Sequence, residues 1–195
     1  IEKLIKGSLS GPFLVNSSMK ISLVQPNFRQ GGSAFSGYWL PYSVGCVYSF
    51  SAQSPEFKGK LELNQLVFRR EKIEWASDNM LGDDIVLFSC YMWNWEYSKA
   101  LAKILKEKSP QTQIVFGGPQ VTEFRSAEQI DQLPYVDTFI ISEGELSVHQ
   151  YLTDFENGET QKLYEANRVT DLDIPSPYLT GVFDKIILDN PEIKW

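Results

Sequence analysis

The stretch Asp83 to Pro119, DDIVLFSCYMWNWEYSKALAKILKEKSPQTQIVFGGP, decides the fold. Ile85-Val86-Leu87-Phe88 is apolar without interruption, as a strand covered on both faces must be. From Asn94 to Lys108 the period changes. Tyr97, Ala100, Leu101, Ile104 and Leu105 fall on one helical face, and Lys99, Lys103, Lys106 and Glu107 fall elsewhere. Asn94 can cap the first turn, Glu96 meets the positive end of the helix dipole, Lys106 and Lys108 meet the negative end, and Pro110 stops the helix. A second strand, Gln113–Phe116, then closes at Gly117-Gly118-Pro119. Strand, helix and strand make a βαβ unit, which predicts a parallel sheet.

Outward from this unit, apolar runs predict strands at Lys20–Gln25, Glu62–Phe68, Asp84–Ser89, Gln113–Phe116 and Val136–Ser142. Helices are expected from about Pro41 to Ala52, burying Val44, Val47 and Tyr48, and after Gly144, where Val148, Tyr151, Leu152 and Phe155 keep helical spacing. A short helix is expected at Ser126–Gln132, before Pro134, while Glu71–Gly82 reads as a long polar loop. The alternation predicts a flavodoxin-like, doubly wound α/β domain: five parallel strands in the order 2-1-3-4-5 with helices on both faces. Residues 1–18 read as a leader or linker outside the fold, 19–167 as the domain, and 168–195 as an ordered linker wrapping its edge.

With 195 residues, 43% hydrophobic and 13% aromatic, the chain can bury one substantial core. A formal charge of −7 and a pI near 4.8 argue against a nucleic-acid surface, which needs clustered Lys and Arg. No apolar run approaches the ~18 residues of a membrane-spanning helix. Cys46 and Cys90 lack zinc or iron–sulfur spacing and read as reduced apolar fillers, so the protein is expected in the cytoplasm.

In an open parallel sheet the ligand lies beyond the carboxyl ends of the strands. The first strand ends in Gln25, Pro26, Asn27 and Phe28, with neither a dinucleotide-binding glycine pattern nor a phosphate-loop lysine nor an acidic pair. The third ends in Ser89, Cys90, Tyr91, Met92, Trp93, Asn94 and Trp95, large side chains that either pack on the sheet's rim or wall an apolar ligand. Asn94 suits a helix cap, a ligand contact or both. Gly117-Gly118-Pro119 permits close approach of a bulky group to backbone, and a tight turn explains it equally. The fifth ends in Ser142-Glu143-Gly144-Glu145, opening a helix whose free N–H groups can hold a phosphate or amide oxygen. The helix dipole already accounts for Glu143 and Glu145, which are otherwise a candidate carboxylate pair. His149, the sole histidine, lies within that helix, away from the strand ends. A binding domain is favoured over a catalytic one, and a hydrolase or nucleotide enzyme with an unfamiliar site is the third reading.

The segments KISLVQPNF, WLPYSVGCVYSF, SCYMWNWEYSKALAKILKEKSP, IVFGGPQVT and ISEGELSV together resemble the N-terminal cobalamin-binding domain of cobalamin-dependent radical SAM enzymes, over roughly Met19 to Asp184. The resemblance implies that a corrin ring lies over the strand ends with its dimethylbenzimidazole tail threaded into the domain. It assigns corrinoid contacts to Gln25, Pro26, Asn27, Ser89, Tyr91, Trp93, Asn94, Gly117, Gly118, Pro119, Ser142, Glu143 and Gly144, with no protein ligand to the metal. PSPYLTGVFD looks like that family's lead into a radical SAM barrel. S-adenosylmethionine and a [4Fe-4S] cluster would act only through such a barrel, in a parent chain or a partner, and the domain alone would be non-catalytic. The D-x-H-x-x-G pattern of the methionine-synthase type is replaced by Gln25-Pro26-Asn27-Phe28, so a protein imidazole on cobalt is not expected. The alternative is a doubly wound docking module without cofactor.

Overall fold

Ile85–Ser89 (β3) is buried along its whole length, with Val86 and Phe88 on one face of the sheet and Ile85 and Leu87 on the other. This computed structural model describes residues 18–31, 37–166, 168–170 and 174–195. β3 lies beside Met19–Asn27 (β1) and Gln113–Gly117 (β4), in parallel register with Ile21 opposite Ile85 and Phe88 opposite Phe116. Leu61–Arg69 (β2), Thr138–Ile140 (β5) and Leu163–Tyr164 (β6) complete a parallel sheet of order β2-β1-β3-β4-β5-β6.

The expected order is present with one strand more than the five expected. β6 has two residues in a polar context and produces no apolar run; it forms because β5 offers it an edge, Phe139 opposite Leu163 and Ile140 opposite Tyr164.

Tyr42–Ala52 (α1) and Gly144–Asn157 (α5) cover one face, over Ile21, Leu23, Leu87, Val115 and Ile140. Ile73–Asp78 (α2), Trp95–Lys108 (α3) and Ala127–Asp131 (α4) lie with the opposite layer, over Val24, Val86, Phe88, Ile114, Phe116 and Phe139. α2 corrects the reading of Glu71–Gly82 as a plain loop. Six residues with Glu74 and Asp78 among them carry little periodic signal, and the helix is held by burying Ala76 and the following Met80. Ser126 and Gln129 form a reciprocal capping box on α4.

Asp184–Asp189 (α6) and the residues around it are packed into the domain. Val182, Phe183, Ile186 and Ile193 belong to the core over α1, and a Cβ on Gly45 would lie 2.6 Å from the Phe183 ring. Residues 1–17 of the expected leader fall outside the described residues, as do 171–173 of the expected linker.

At the foot of the sheet one carboxylate joins three strands. The Asp83 side chain is 0% exposed; it accepts from Ser22 Oγ at 2.5 Å and from Asn64 Nδ2 at 2.8 Å, with Lys20 Nζ 3.6 Å away. Burial raises its pKa, against Ser22, Asn64 and Lys20, which favour the charged form.

Asp83→Ala would leave the Ser22 hydroxyl and Asn64 amide without their acceptor and should cost about 2–4 kcal/mol in urea unfolding. Because the folded pKa is raised, the native state binds more protons than the unfolded chain just above the ordinary carboxylate range. The stability of the native protein relative to Asp83→Asn should therefore rise as pH falls from neutral through that window. A flat difference would show that the carboxyl is not desolvated.

Candidate functional site

The carboxyl ends of β3, β4 and β5 open into a cleft of about 430 Å³ lined also by α1 and the start of α5. Its floor and walls are apolar: Val44 and Val47 from α1, Leu87 from β3, Val115 from β4, Ile140 from β5 and Val148 from α5. The polar groups lie among Ser43, Ser89, Tyr91, Thr122, Ser142, Glu143 and Glu145. A wider groove of about 860 Å³ follows the free edge of β2 between Trp75 and Lys185. No carboxyl end of β3, β4 or β5 opens into it, so the strand-end cavity is the candidate site.

Of the residues expected at the site, Ser89, Tyr91, Gly117, Gly118, Pro119, Ser142, Glu143 and Gly144 line this cavity. Gln25, Pro26, Asn27, Trp93 and Asn94 do not. Gln25 Oε1 accepts from the Val44 amide at 3.0 Å, and Asn27 Nδ2 donates to the Trp39 carbonyl at 2.9 Å. Trp93 stacks on Tyr91, ring centroids 4.5 Å apart, and meets Phe28 edge-on.

Asn94 is at the N-cap position of α3, yet its side chain makes no capping bond there. Its Oδ1 accepts from the Tyr91 amide at 2.8 Å and its Nδ2 donates to the Ser89 carbonyl at 3.0 Å. The fully buried amide thus ties the turn that carries Tyr91, whose hydroxyl lies 2.6 Å from Ser43 Oγ on α1.

Gly118 has φ +94°, and a Cβ there would lie 2.8 Å from the Cys90 carbonyl oxygen and 2.9 Å from its nitrogen. The turn itself therefore demands this glycine. Gly117 is under no such constraint, because a Cβ there would lie an ordinary 3.4 Å from the Ile140 side chain. Gly144 lets α5 approach α1, where a Cβ would meet Val47 at 2.7 Å.

Ser142 takes φ +67°, uncommon for a residue with a side chain, and its hydroxyl donates to Glu165 at 3.0 Å. Arg125 grips Glu165 through both guanidinium nitrogens, at 2.5 and 2.7 Å, and holds that carboxyl below its usual range, assisted by Ser142. Arg168 pairs with Glu143 at 2.8 Å.

Sequence reasoning missed the contribution of α1, whose Tyr42, Ser43, Cys46 and Val47 line the cavity. Periodicity marks those positions only as helical, and the small Gly144 facing them was the available clue. Burial raises the Cys46 thiol pKa, helped by the charge of Glu145 and opposed by Tyr42, so the thiol stays protonated at neutral pH. His149 is outside the cavity, packed edge-on against Phe50 and Phe57. Among the described residues, no group of three or more His, Cys, Asp or Glu side chains could hold a metal ion. What the arrangement provides is apolar contact within a cleft and hydroxyl and carboxylate groups for hydrogen bonds.

No protein-family model matches the chain. It is similar to the cobalamin-dependent radical SAM methyltransferase TokK of Streptomyces tokunonensis, 27% identical over 163 residues, a match covering 75% of this chain and 24% of that protein. It is also similar to the 2-(S-pantetheinyl)-carbapenam-3-carboxylate methyltransferase of Streptantibioticus cattleyicolor, 26% identical over 163 residues with the same coverage. The chain thus spans about a quarter of the length of the curated relatives it matches.

Gly118→Ala should destabilise the protein by about 2–4 kcal/mol, through positive φ and the clash with Cys90 backbone, whereas Gly117→Ala should cost less than about 1 kcal/mol. Denaturant midpoints of the two variants decide it. Equal losses would place the constraint on the pair rather than on Gly118.

Proposed function

From this similarity to cobalamin-dependent radical SAM methyltransferases, we propose that the chain is the cobalamin-binding part of such an enzyme. The observation that carries the reading is the match to TokK, whose name states both cofactor and chemistry. The cavity is compatible with it. A volume of about 430 Å³ lies in the range of small-ligand sites and suits a nucleotide-sized group. The tail of the cofactor would be enclosed, and its ring would rest outside, at the strand ends.

Within this reading the chain's own residues bind and orient. Val44, Val47, Leu87, Val115, Ile140 and Val148 exclude water from the enclosed group, and the hydroxyls of Ser43, Ser89, Tyr91 and Ser142 offer hydrogen bonds around it. Bound cobalamin would supply a cobalt centre able to carry a methyl group. On this reading no protein nitrogen is assigned as a ligand to that metal, and His149, the sole histidine, does not line the cavity.

S-adenosylmethionine and a [4Fe-4S] cluster belong to the proposal through a radical SAM barrel in a longer chain or a partner, since the two cysteines here cannot form C-x-x-x-C-x-x-C. Methyl transfer would be the activity of that whole assembly. Among the described residues no helix is long and apolar enough to cross a membrane, and the buried, free Cys46 and Cys90 support a reducing compartment such as the cytoplasm.

Equilibrium dialysis against hydroxocobalamin should retain one corrinoid per folded chain. No retention at millimolar corrinoid would favour the docking-module reading, for which the exposed Trp39 and Met92, 68% and 82% accessible, would be the contact residues. In the cob(II)alamin form, the electron paramagnetic resonance spectrum should lack splitting from a protein nitrogen, and His149→Ala should leave it unchanged. Splitting that disappears in the alanine variant would overturn this account of the site.

A further inference from the structure

α1 begins without a cap of its own. Pro41 at its N-cap position has no side-chain acceptor, no side chain within the segment bonds its first turn, and that turn holds no acidic residue. The exposed amides of a helix start need acceptors, and here one comes from the neighbouring strand: Gln25 Oε1 takes the Val44 N–H at 3.0 Å. Asn27, two residues on, holds the Trp39 carbonyl that leads into the helix. Both amides are buried, at 5% and 7% exposure.

Burial of an amide is costly unless its polar atoms are used, and the interior of a parallel strand ordinarily takes aliphatic residues. The first turn so held is the one that presents Ser43 and Val44 to the cavity, with Val47 one turn further on. On the far side Ser43 is tied to Tyr91.

We propose that Gln25 is a positioning residue: through the Val44 amide it fixes the first turn of α1 as a preformed wall of the cavity, without itself touching the bound corrinoid. This rests on the cobalamin-binding reading. A wall held in place before binding spares the ligand the cost of ordering it, so losing the acceptor should weaken binding through the apo protein.

The test uses the full 195-residue chain and its Gln25→Met, Gln25→Glu and Asp83→Ala variants. Hydrogen exchange of residues 42–47 is read without corrinoid, and hydroxocobalamin affinity is read from its visible spectrum. Gln25→Met, close in shape but lacking the acceptor, should speed first-turn exchange and weaken affinity, each roughly tenfold, with exchange in β3 and β4 unchanged. Gln25→Glu keeps an acceptor facing the helix start and should restore both to within about threefold. Asp83→Ala, at the opposite end of the sheet, should lose stability and keep its affinity.

Native affinity in Gln25→Met would overturn the proposal. So would an equal loss in Asp83→Ala, which would indicate general destabilisation, or weakened binding with unaltered first-turn exchange, which would indicate direct contact. If the native chain retains no corrinoid, the functional reading fails, and the clamp is judged by exchange alone: unchanged exchange in Gln25→Met sinks it and faster exchange upholds it.

Discussion

The burial of β3 on both faces is the constraint on which the remaining structure depends. A strand with Val86 and Phe88 on one side and Ile85 and Leu87 on the other needs a helix layer on each, and its backbone needs a partner on each edge. β1 and β4 meet the second need, and α1 with α5, and α2 with α3, meet the first. Parallel strands joined this way bring their carboxyl ends to one side of the molecule. The cavity is the space left there between the two helices of one layer and the ends of β3, β4 and β5.

That space is kept open by close contacts around it. Gly118 lets the end of β4 touch the Cys90 backbone, where the Cys90 amide donates to the Gly117 carbonyl at 2.7 Å. Gly144 brings α5 against Val47, and Asn94 ties the turn that aims Tyr91 at Ser43. The Gly118–Cys90, Gly144–Val47 and Tyr91–Ser43 contacts each join segments far apart in sequence, so the shape of the site is a property of the packed layers. The charged rim, Arg125 with Glu165 and Arg168 with Glu143, is exposed and contributes little stability on its own.

Much of this was legible in the residues. Five strands and the helices at Pro41, Asn94, Ser126 and Gly144 follow from apolar runs, helical spacing and stop signals, because those signals report burial directly. α2 and β6 were not legible, since six and two residues are too few to carry a period and both are stabilised by neighbours already in place. The family resemblance read from the strand-end motifs agrees with the methyltransferases to which the chain is similar.

The amino-acid sequence by itself determined the sheet class, the strand order from the first strand to the fifth and the end of the molecule at which to seek a site. Those follow from local patterns of polarity and from the topology that parallel strands impose. Only the tertiary structure decided which groups share a wall. It placed Gln25, Asn27 and Asn94 behind the cavity, on backbone amides and carbonyls of other elements, and brought Ser43, Cys46 and Val47 forward into it. An amide side chain has the same donors and acceptors whether it meets a ligand or a helix end, and what it meets is set by how the layers pack.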